Sequence, residues 1–491
     1  MPSIKHLMPN RKNTTILWRL PTLIWLGIAL FVPFLAAEEK DNHIRLVVDP
    51  EIIDLLDTLG KPLTQAAHLP DERVLFHVLL DPTLNAMALP NQHILINSGL
   101  ILASADEDEL ASVLAHEIGH LTAGHHIQLQ SEARNVAIQT LVLSAIGLGA
   151  GLATGSDALT QGSIVGSTAA AQAAMLDSSR QKERQADQLG VEYLLQAGYD
   201  PIGSIHFLQR IERQQRLSNI PPPYLLTHPL SSQRLIAIQT LIDQTKPTPH
   251  KNRLPKGQFQ RVRAKLEAGT SDNPTQTAEL FKNQIKTISA DKNAPLDDTA
   301  NRLFAARYGL TLSIYYAGRL PEALDGINQL QDSDKIDPYL LRERGLIHLE
   351  LGQFKHALND FNTALQQKPN EKDIKYRLAL TYKELGNYEQ SSQILRQLTA
   401  EHATMTNAFY LLGQVEFLRH NQGSSHLALA RYHRLLLEND NAIWHYREAI
   451  RLFPKNSPEK GLGGGSPPPK VLIFIFPIHA HDVLRTENFK T

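Results

Sequence analysis

Residues 116–120 read His-Glu-Ile-Gly-His, and residues 183–187 read Glu-Arg-Gln-Ala-Asp. On an α-helix, His116 and His120 are about one turn apart and share a face, so their imidazoles can converge on one metal ion. Glu117 lies beside them, where its carboxylate can reach a water molecule that the metal activates. The first stretch therefore predicts a helix that carries a hydrolytic metal site.

The residues before this motif predict how its helix begins and which side it buries. Ser104 and Glu107 have the spacing of a capping box, so we expect Ser104 to cap the helix. Acidic residues fill the first turn, where the helix dipole favours negative charge. Apolar residues then recur at helical spacing and predict the buried face, namely Leu110, Val113, Leu114 and Ile118.

The second stretch supplies a candidate for the third ligand that a catalytic zinc ion needs. Glu183 and Asp187 are one helical turn apart, so both carboxylates point the same way. One can bind the metal while the other accepts the N–H of a ligating imidazole. Taken alone, the stretch also fits a solvated charge cluster. Together with His116 and His120, it predicts one Zn²⁺ ion per chain.

Four pieces of this sequence occur together, in the same order, in a known family. They resemble the gluzincin metallopeptidases related to HtpX, and in particular their BepA-like branch of beta-barrel assembly-enhancing proteases. The resemblance spans residues 45–245 and rests on residues 97–100, residues 109–115, residues 183–187, and Thr227-His228-Pro229 with Arg234.

The resemblance implies a fold and a set of roles. It implies an α+β zincin-like metalloprotease domain, which we place at residues 41–245. The equivalents of His116, His120 and Glu183 bind zinc in that family, and the equivalent of Glu117 is the catalytic base. These roles agree with the assignment made from the residues alone.

His228 is open between three roles. The resemblance implies that its imidazole can occupy the remaining position on zinc and hold the enzyme idle, and neutral imidazole is a good zinc ligand. It can instead stabilise the transition-state oxyanion, or make only a structural contact before Pro229. Arg234 is interpreted as structural. His125 and His126 need not share the face of His120, so we leave both out of the site.

Two segments before the motif predict strands. Residues 74–80 are rich in Val, Leu and Phe, and residues 93–97 alternate apolar and polar side chains. A strand that directly precedes the active-site helix often forms a sheet edge, to which an extended peptide adds as another strand. An ordinary sheet strand is the alternative.

The amino terminus predicts export. A basic leader precedes the apolar residues 20–37, which end in small side chains before Glu38, so residues 1–37 read as a signal peptide. A retained membrane anchor is the alternative. The chain contains no cysteine, so its stability must come from packed cores rather than disulfides. We expect a periplasmic protein that is either free or associated with the membrane.

Residues 136–176 form a small-residue segment with few charges between the two halves of the metal site. Glycines at 147, 149 and 151 weaken any helix there. We interpret the segment as a helical hairpin that contacts a membrane surface or a partner, is simply buried, or spans the membrane.

A repeat begins after a connecting region, residues 246–300, which includes a Pro/Lys linker and one predicted helix near residues 277–288. Gly318, Gly352 and Gly386 are spaced by 34 residues, the period of tetratricopeptide repeats. Residues 301–456 are therefore predicted to form an all-α solenoid, whose concave face binds extended protein segments. A helical cap without a ligand is the alternative. Residues 457–491 form an atypical tail, with a Gly/Pro linker and an apolar run that would favour aggregation if exposed.

These patterns predict an exported zinc endopeptidase. By resemblance, its substrates include misassembled outer-membrane proteins, and its repeats contact the barrel-assembly machinery. The main alternative is an envelope chaperone or scaffold with a vestigial protease site. A zinc amidase that acts on cell-wall peptides is a weaker alternative. The formal net charge of −1, from 49 basic and 50 acidic residues, does not support nucleic-acid binding.

Overall fold

The computed structural model describes residues 46–70, 74–89, 92–125, 179–217, 223–230, 232–245, 254–291, 295–331 and 336–454. Several sequence interpretations lie outside these residues: the signal peptide, the segment 136–176, His126, most of the Pro/Lys linker and the tail 457–491. Within the described residues, no helix is both long and apolar enough to cross a membrane.

The first region contains a four-stranded sheet in the order β1-β2-β4-β3. Strands β2 and β4 run parallel, and each outer strand is antiparallel to its neighbour. Alternate side chains of the two central strands enter the core, where Phe76, Val78, Ile94 and Ile96 are buried. The strands are β1 (Leu46–Val47), β2 (Leu75–Leu79), β3 (Ala86–Leu89) and β4 (His93–Asn97).

Both predicted strands exist, but the expectation that the strand directly before the active-site helix forms the sheet edge is wrong. Strand β4 is hydrogen-bonded on both sides, because β3 pairs with it from Leu89↔His93 to Ala86↔Ile96. The short β3, which sequence reasoning missed, is the edge strand on this side. Its four residues, Ala-Met-Ala-Leu, lack the β-branched and aromatic residues that mark strands.

The described part of this region also contains seven helices, and α3 carries the His-Glu-Ile-Gly-His motif. Helix α3 is buried from Glu109 to Leu121 because α1, α5 and the sheet all pack against it. The helices are α1 (Pro50–Ala66), α2 (Ser98–Ala103), α3 (Glu107–Thr122), α4 (residues 179–197), α5 (Ile202–Leu217), α6 (Pro223–Thr227) and α7 (Ser232–Asp243).

The predicted cap of α3 at Ser104 is wrong by two residues. Asp106 caps the helix and accepts a hydrogen bond from the Glu109 N–H at 2.9 Å, while the Glu109 carboxylate accepts one from the Ala105 N–H at 2.8 Å. Ser104 instead donates to the carbonyl of Leu100 at the end of α2. Asp106 with Glu109 has the same spacing as Ser104 with Glu107, so the sequence allows either pair to cap the helix. The position at which α2 ends decides which pair does so.

The second region is all-helical and confirms the predicted fold class, an α+β domain followed by a repeat solenoid. Each helix packs against the next one along the chain. They are α8 (Gln258–Gly269), α9 (Pro274–Ala290), α10 (Leu296–Tyr316), α11 (Leu320–Leu330), α12 (Pro338–Glu350), α13 (Phe354–Gln367), α14 (Lys372–Glu384), α15 (Tyr388–Glu401), α16 (Thr406–Leu418), α17 (Gln422–Leu435) and α18 (Asn439–Leu452).

The repeating glycines lie where each first helix of a pair turns into the second. Gly318, Gly352 and Gly386 have φ of 76°, 70° and 77°, which L side chains rarely adopt. His420 has φ of 60° at the same position of the next copy. The 34-residue period thus reflects a left-handed turn that recurs between paired helices.

The expectation of one helix in the connecting region 246–300 is also wrong, because α8 and α9 both form there. Helix α8 was missed since its polar residues hide a buried face of Phe259, Val262 and Leu266, which joins the core of the first region. The same helix carries Lys265, which is only 3% exposed. Lys265 contacts Asp49 at 2.8 Å, Glu51 at 3.1 Å and Glu343 of α12 at 2.8 Å. A buried ionic cluster therefore connects the first region to the repeats.

Candidate metal centre

The site is built where α3 and α4 cross at close range. A Cβ atom on Gly119 would lie 2.8 Å from the backbone oxygen of Ala186, a separation that real Cβ atoms essentially never show. Glycine at this position of the motif therefore lets α4 approach α3. Because Glu183 and Asp187 flank Ala186 on α4, both carboxylates face the histidines of α3.

Four side chains converge at this crossing: His116, His120, Glu183 and His228. One ligand atom from each lies within 4.8 Å of all the others, and all four residues are buried. The Nε2 atoms of His116 and His120 are 3.0 Å apart, and the two Glu183 oxygens lie 3.4 Å from His116 and 3.3 Å from His120. Two imidazoles and a carboxylate are a donor set that suits catalytic zinc.

Asp187 holds the far side of His116. Its Oδ1 lies 3.0 Å from Nδ1 of His116, so Nδ1 donates its proton to the carboxylate. In the neutral ring, Nε2 therefore carries the lone pair, on the side of the other donors. Arg234 donates to both oxygens of Asp187, at 2.6 and 2.8 Å, and contacts Glu183 at 3.0 Å. Arg234 thus holds the carboxylates of both Asp187 and Glu183 in place.

The electrostatics keep these carboxylates ionised. Burial would raise the pKa of Glu183, but hydrogen bonds from His116, His120 and His228 hold it well below its usual range. Burial opposes protonation of His116, yet its hydrogen bonds to Asp187 and Glu183 outweigh that effect and raise its pKa to about 9. His116 must therefore release a proton before it can bind a metal ion.

Glu117 occupies a different position from the converging donors. Its side chain is buried, and its Oε1 has no hydrogen-bond partner within the described part of the chain. Nε2 of His228 lies 3.4 Å from the same oxygen. A buried carboxylate oxygen without a partner is expensive unless it serves a chemical role, and it suits a group that receives a proton.

His228 directly follows α6, and its side chain enters the site. Its backbone N–H donates to Tyr224 O at 2.7 Å, and its ring lies 4.6 Å from the ring of Tyr224. Its Nδ1 atom lies 3.3 Å from Nε2 of His116 and 3.2 Å from Glu183 Oε1. The structure therefore brings His228 among the predicted ligands. The role of each of these residues stays a prediction.

Sequence reasoning missed one residue at the site. His125 was left out, yet its Nδ1 atom lies 2.9 Å from Nδ1 of His120. Gly124, with φ of 69°, lies just after the end of α3 and turns the chain back, which allows this contact. A glycine just after a helix end is the signal for such a reversal. The Nε2 atom of His125 lies 3.2 Å from the Gln185 side-chain oxygen.

Comparisons with known proteins agree with the two regions. The chain matches the model of peptidase family M48 over residues 54–242 and a tetratricopeptide-repeat model over residues 348–415. It is therefore a metallopeptidase of the M48 type that carries tetratricopeptide repeats. A metal cofactor follows from that family.

Two relatives that align with three quarters or more of this chain share one name. The chain is 26% identical over 398 residues to the beta-barrel assembly-enhancing protease of Escherichia coli (strain K12), covering 81% of this chain and 78% of that one. The protein of that name from Yersinia pestis is 28% identical over 379 residues, covering 75% and 73%. The mitochondrial metalloendopeptidase OMA1 of Saccharomyces cerevisiae is 30% identical over 165 residues, covering 32% and 44%. Among solved structures, the tetratricopeptide protein YrrB has a TM-score of 0.30 and 15% identity, covering 38% and 91%.

Proposed function

We propose that this chain is a zinc endopeptidase in which His116, His120 and Glu183 hold the metal and Glu117 is the general base. The observation that carries the proposal is the convergence of these three donors beside a buried Glu117 oxygen that has no hydrogen-bond partner among the described residues. Bound zinc supplies Lewis acidity, which polarises a peptide carbonyl and lowers the pKa of a water molecule.

Side chains around the metal ligands transfer the proton, orient a ligand and occupy the resting site. Glu117 Oε1 accepts a proton as the peptide bond is attacked and passes it to the leaving amine. Asp187 keeps His116 in the tautomer that leaves Nε2 free, and Arg234 keeps Asp187 ionised and in place. Nδ1 of His228 lies 3.3 Å from Nε2 of His116 and 3.2 Å from Glu183 Oε1, which supports the role of a resting-state fourth ligand.

The substrate is an extended protein segment that adds alongside β3. This strand is the sheet edge on the side of α3, so its outer N–H and C=O groups are placed to pair with a substrate backbone. Main-chain pairing makes little demand on sequence, which suits a protease for misfolded proteins.

The proposed setting is quality control and assembly of outer-membrane proteins in the periplasm. Similarity to beta-barrel assembly-enhancing proteases supports this setting, and the apolar residues 20–37 support export. The repeats would then recruit misassembled barrel proteins or their assembly machinery.

The test is capture of substrates by Glu117→Gln, a variant expected to bind clients without cleaving them. Envelope proteins that accumulate on this variant and are degraded by the wild type are the expected clients. If the chain is instead an envelope chaperone with a vestigial protease site, Glu117→Gln should protect cells as well as the wild type does. No captured protein should then be a substrate of the wild type.

A further inference from the structure

Three histidines lie close together on the last two helices that the structure describes. His426 and His433 are two turns apart on α17, and His445 lies on α18. The Nδ1 atoms of His426 and His445 are 3.0 Å apart, and the rings of His433 and His445 stack with their centroids 5.1 Å apart. Helix α18 makes its main contacts with α17. The three rings therefore lie where the last described helix is attached to the repeats.

The separation of the two Nδ1 atoms suits a shared metal ion. Two metal–nitrogen bonds of about 2.1 Å that meet at roughly 90–109° place their nitrogen atoms about 3.0–3.4 Å apart. Without a metal ion, one ring must donate its proton to the other at this distance. Imidazole nitrogens are good ligands for zinc, copper and nickel ions. A metal ion and a direct hydrogen bond are therefore the two explanations for this contact.

The surroundings of the two rings favour the neutral form, which is the form that binds metal ions. Burial and the neighbouring rings of His426 and His433 lower the pKa of His445 to about 4, and burial lowers the pKa of His426. The third ring has another partner, because Nδ1 of His433 donates to Glu438 at 2.6 Å. His433 therefore supports the ring of His445 and is not counted as a ligand.

A carboxylate lies on the same face of α18 as His445. Glu448 follows His445 by about one turn, and its negative charge opposes the effect of burial on the pKa of His426. Glu448 now accepts hydrogen bonds from Arg451 at 2.7 and 2.9 Å, and the Arg451 side chain is 68% exposed. Exposed ion pairs of this kind contribute little to stability. The carboxylate can therefore turn from Arg451 to a bound cation.

We propose that His426 and His445 bind a divalent transition-metal ion of the zinc, copper or nickel type, with Glu448 as the third ligand. The ion joins α17 to α18 and fixes the last described helix of the repeats. This site shares no residue with the candidate metal centre and requires no proteolysis. Because its ligands are partly exposed and Glu448 must first leave Arg451, it binds zinc less tightly than the buried centre. Dialysis should therefore remove this ion and leave the one at the centre.

The test uses the fluorescence of Trp444, whose ring lies 5.4 Å from the ring of His426 and 4.7 Å from that of His445. The full chain carries Trp18→Phe and Trp25→Phe, so that Trp444 is its sole tryptophan. This protein is loaded with zinc, dialysed and titrated with Ni²⁺, a paramagnetic ion that quenches tryptophan fluorescence at short range. Zn²⁺ is then added as a competitor.

Quenching should saturate at one nickel ion per chain, and Zn²⁺ should reverse it. His426→Ala and His445→Ala should each weaken nickel binding by at least the roughly tenfold to hundredfold that is lost with a residue that only supports a ligand. Glu448→Gln should also weaken it. His356→Ala removes an exposed histidine from α13 and should leave the affinity unchanged. Melting temperature without added metal identifies any variant that fails to fold.

Two results would overturn the proposed metal site. Quenching could fail to saturate, or the affinity could survive in folded His426→Ala and His445→Ala, and the two rings would then make only a direct hydrogen bond. Unchanged affinity in Glu448→Gln would contradict the place of that carboxylate in the ligand set. Failure of the protease proposal looks different, since cleavage would be missing while the nickel affinity stayed the same.

Discussion

The Nδ1 atom of His125 lies 2.9 Å from the Nδ1 atom of His120. If His120 Nδ1 donates its proton to His125, then His125 must carry its own proton on Nε2, which faces the side-chain oxygen of Gln185 at 3.2 Å. This chain of donors leaves Nε2 of His120 with a lone pair directed at His116 and Glu183. His125 therefore orients His120 as Asp187 orients His116.

His125→Ala should weaken metal binding by roughly tenfold to a hundredfold, because His120 loses the acceptor that fixes its tautomer. Competition with a chelator of known affinity measures the change. His206→Ala, which removes an exposed histidine from α5, is the matched control and should keep wild-type affinity. Equal affinities for both variants would show that the His125 contact does not support the site.

The sequence predicted the parts of the site that lie on continuous helices. His116, His120 and Glu117 are fixed by the geometry of one helix, and Glu183 with Asp187 by the geometry of another. The crossing of those helices was not predictable from spacing, because it depends on the contact of Gly119 with Ala186. His125 was missed for a related reason, since a turn after the helix, not helical periodicity, returns it to His120.

The fold shows the same division between local and long-range information. The repeat period predicted the solenoid because its left-handed turns are local. The edge strand β3 and helix α8 were missed because their identity depends on tertiary partners. In α8 that partner is the buried ionic cluster around Lys265, whose anions come from residues distant in sequence.

Lys265→Met should destabilise the whole chain by about 3–5 kcal/mol, because it leaves Asp49, Glu51 and Glu343 without their shared cation. Burial lowers the pKa of Lys265, but these anions outweigh it and raise the pKa well above its usual value, so the charge is present at neutral pH. Urea denaturation measures the loss. Lys61→Met removes an exposed lysine paired with Asp57 and should shift the midpoint little. An unchanged midpoint for Lys265→Met would contradict this account of the junction.

His228→Ala distinguishes the three roles left open by the sequence. If His228 occupies a metal position at rest, the variant should raise basal cleavage of an unfolded protein while the metal content stays constant. If it stabilises the oxyanion, turnover should fall by about a hundredfold. If it is structural, activity and melting temperature should fall together.

We expect the first outcome, because a ring nitrogen of His228 lies within 4.8 Å of the ligand atoms of His116, His120 and Glu183. The measurement combines basal cleavage, melting temperature and metal content on one preparation. Unchanged or reduced cleavage by a folded, metal-loaded variant would exclude self-inhibition.

The most direct test of the central claim is metal content and cleavage of one unfolded protein, measured side by side for the wild type, Glu117→Gln and His116→Ala. We expect the wild type to hold about one zinc per chain and to cleave the protein. Glu117→Gln should keep the zinc and lose cleavage, because only the base is removed, and His116→Ala should lose both. Cleavage by Glu117→Gln at the wild-type rate would contradict the mechanism.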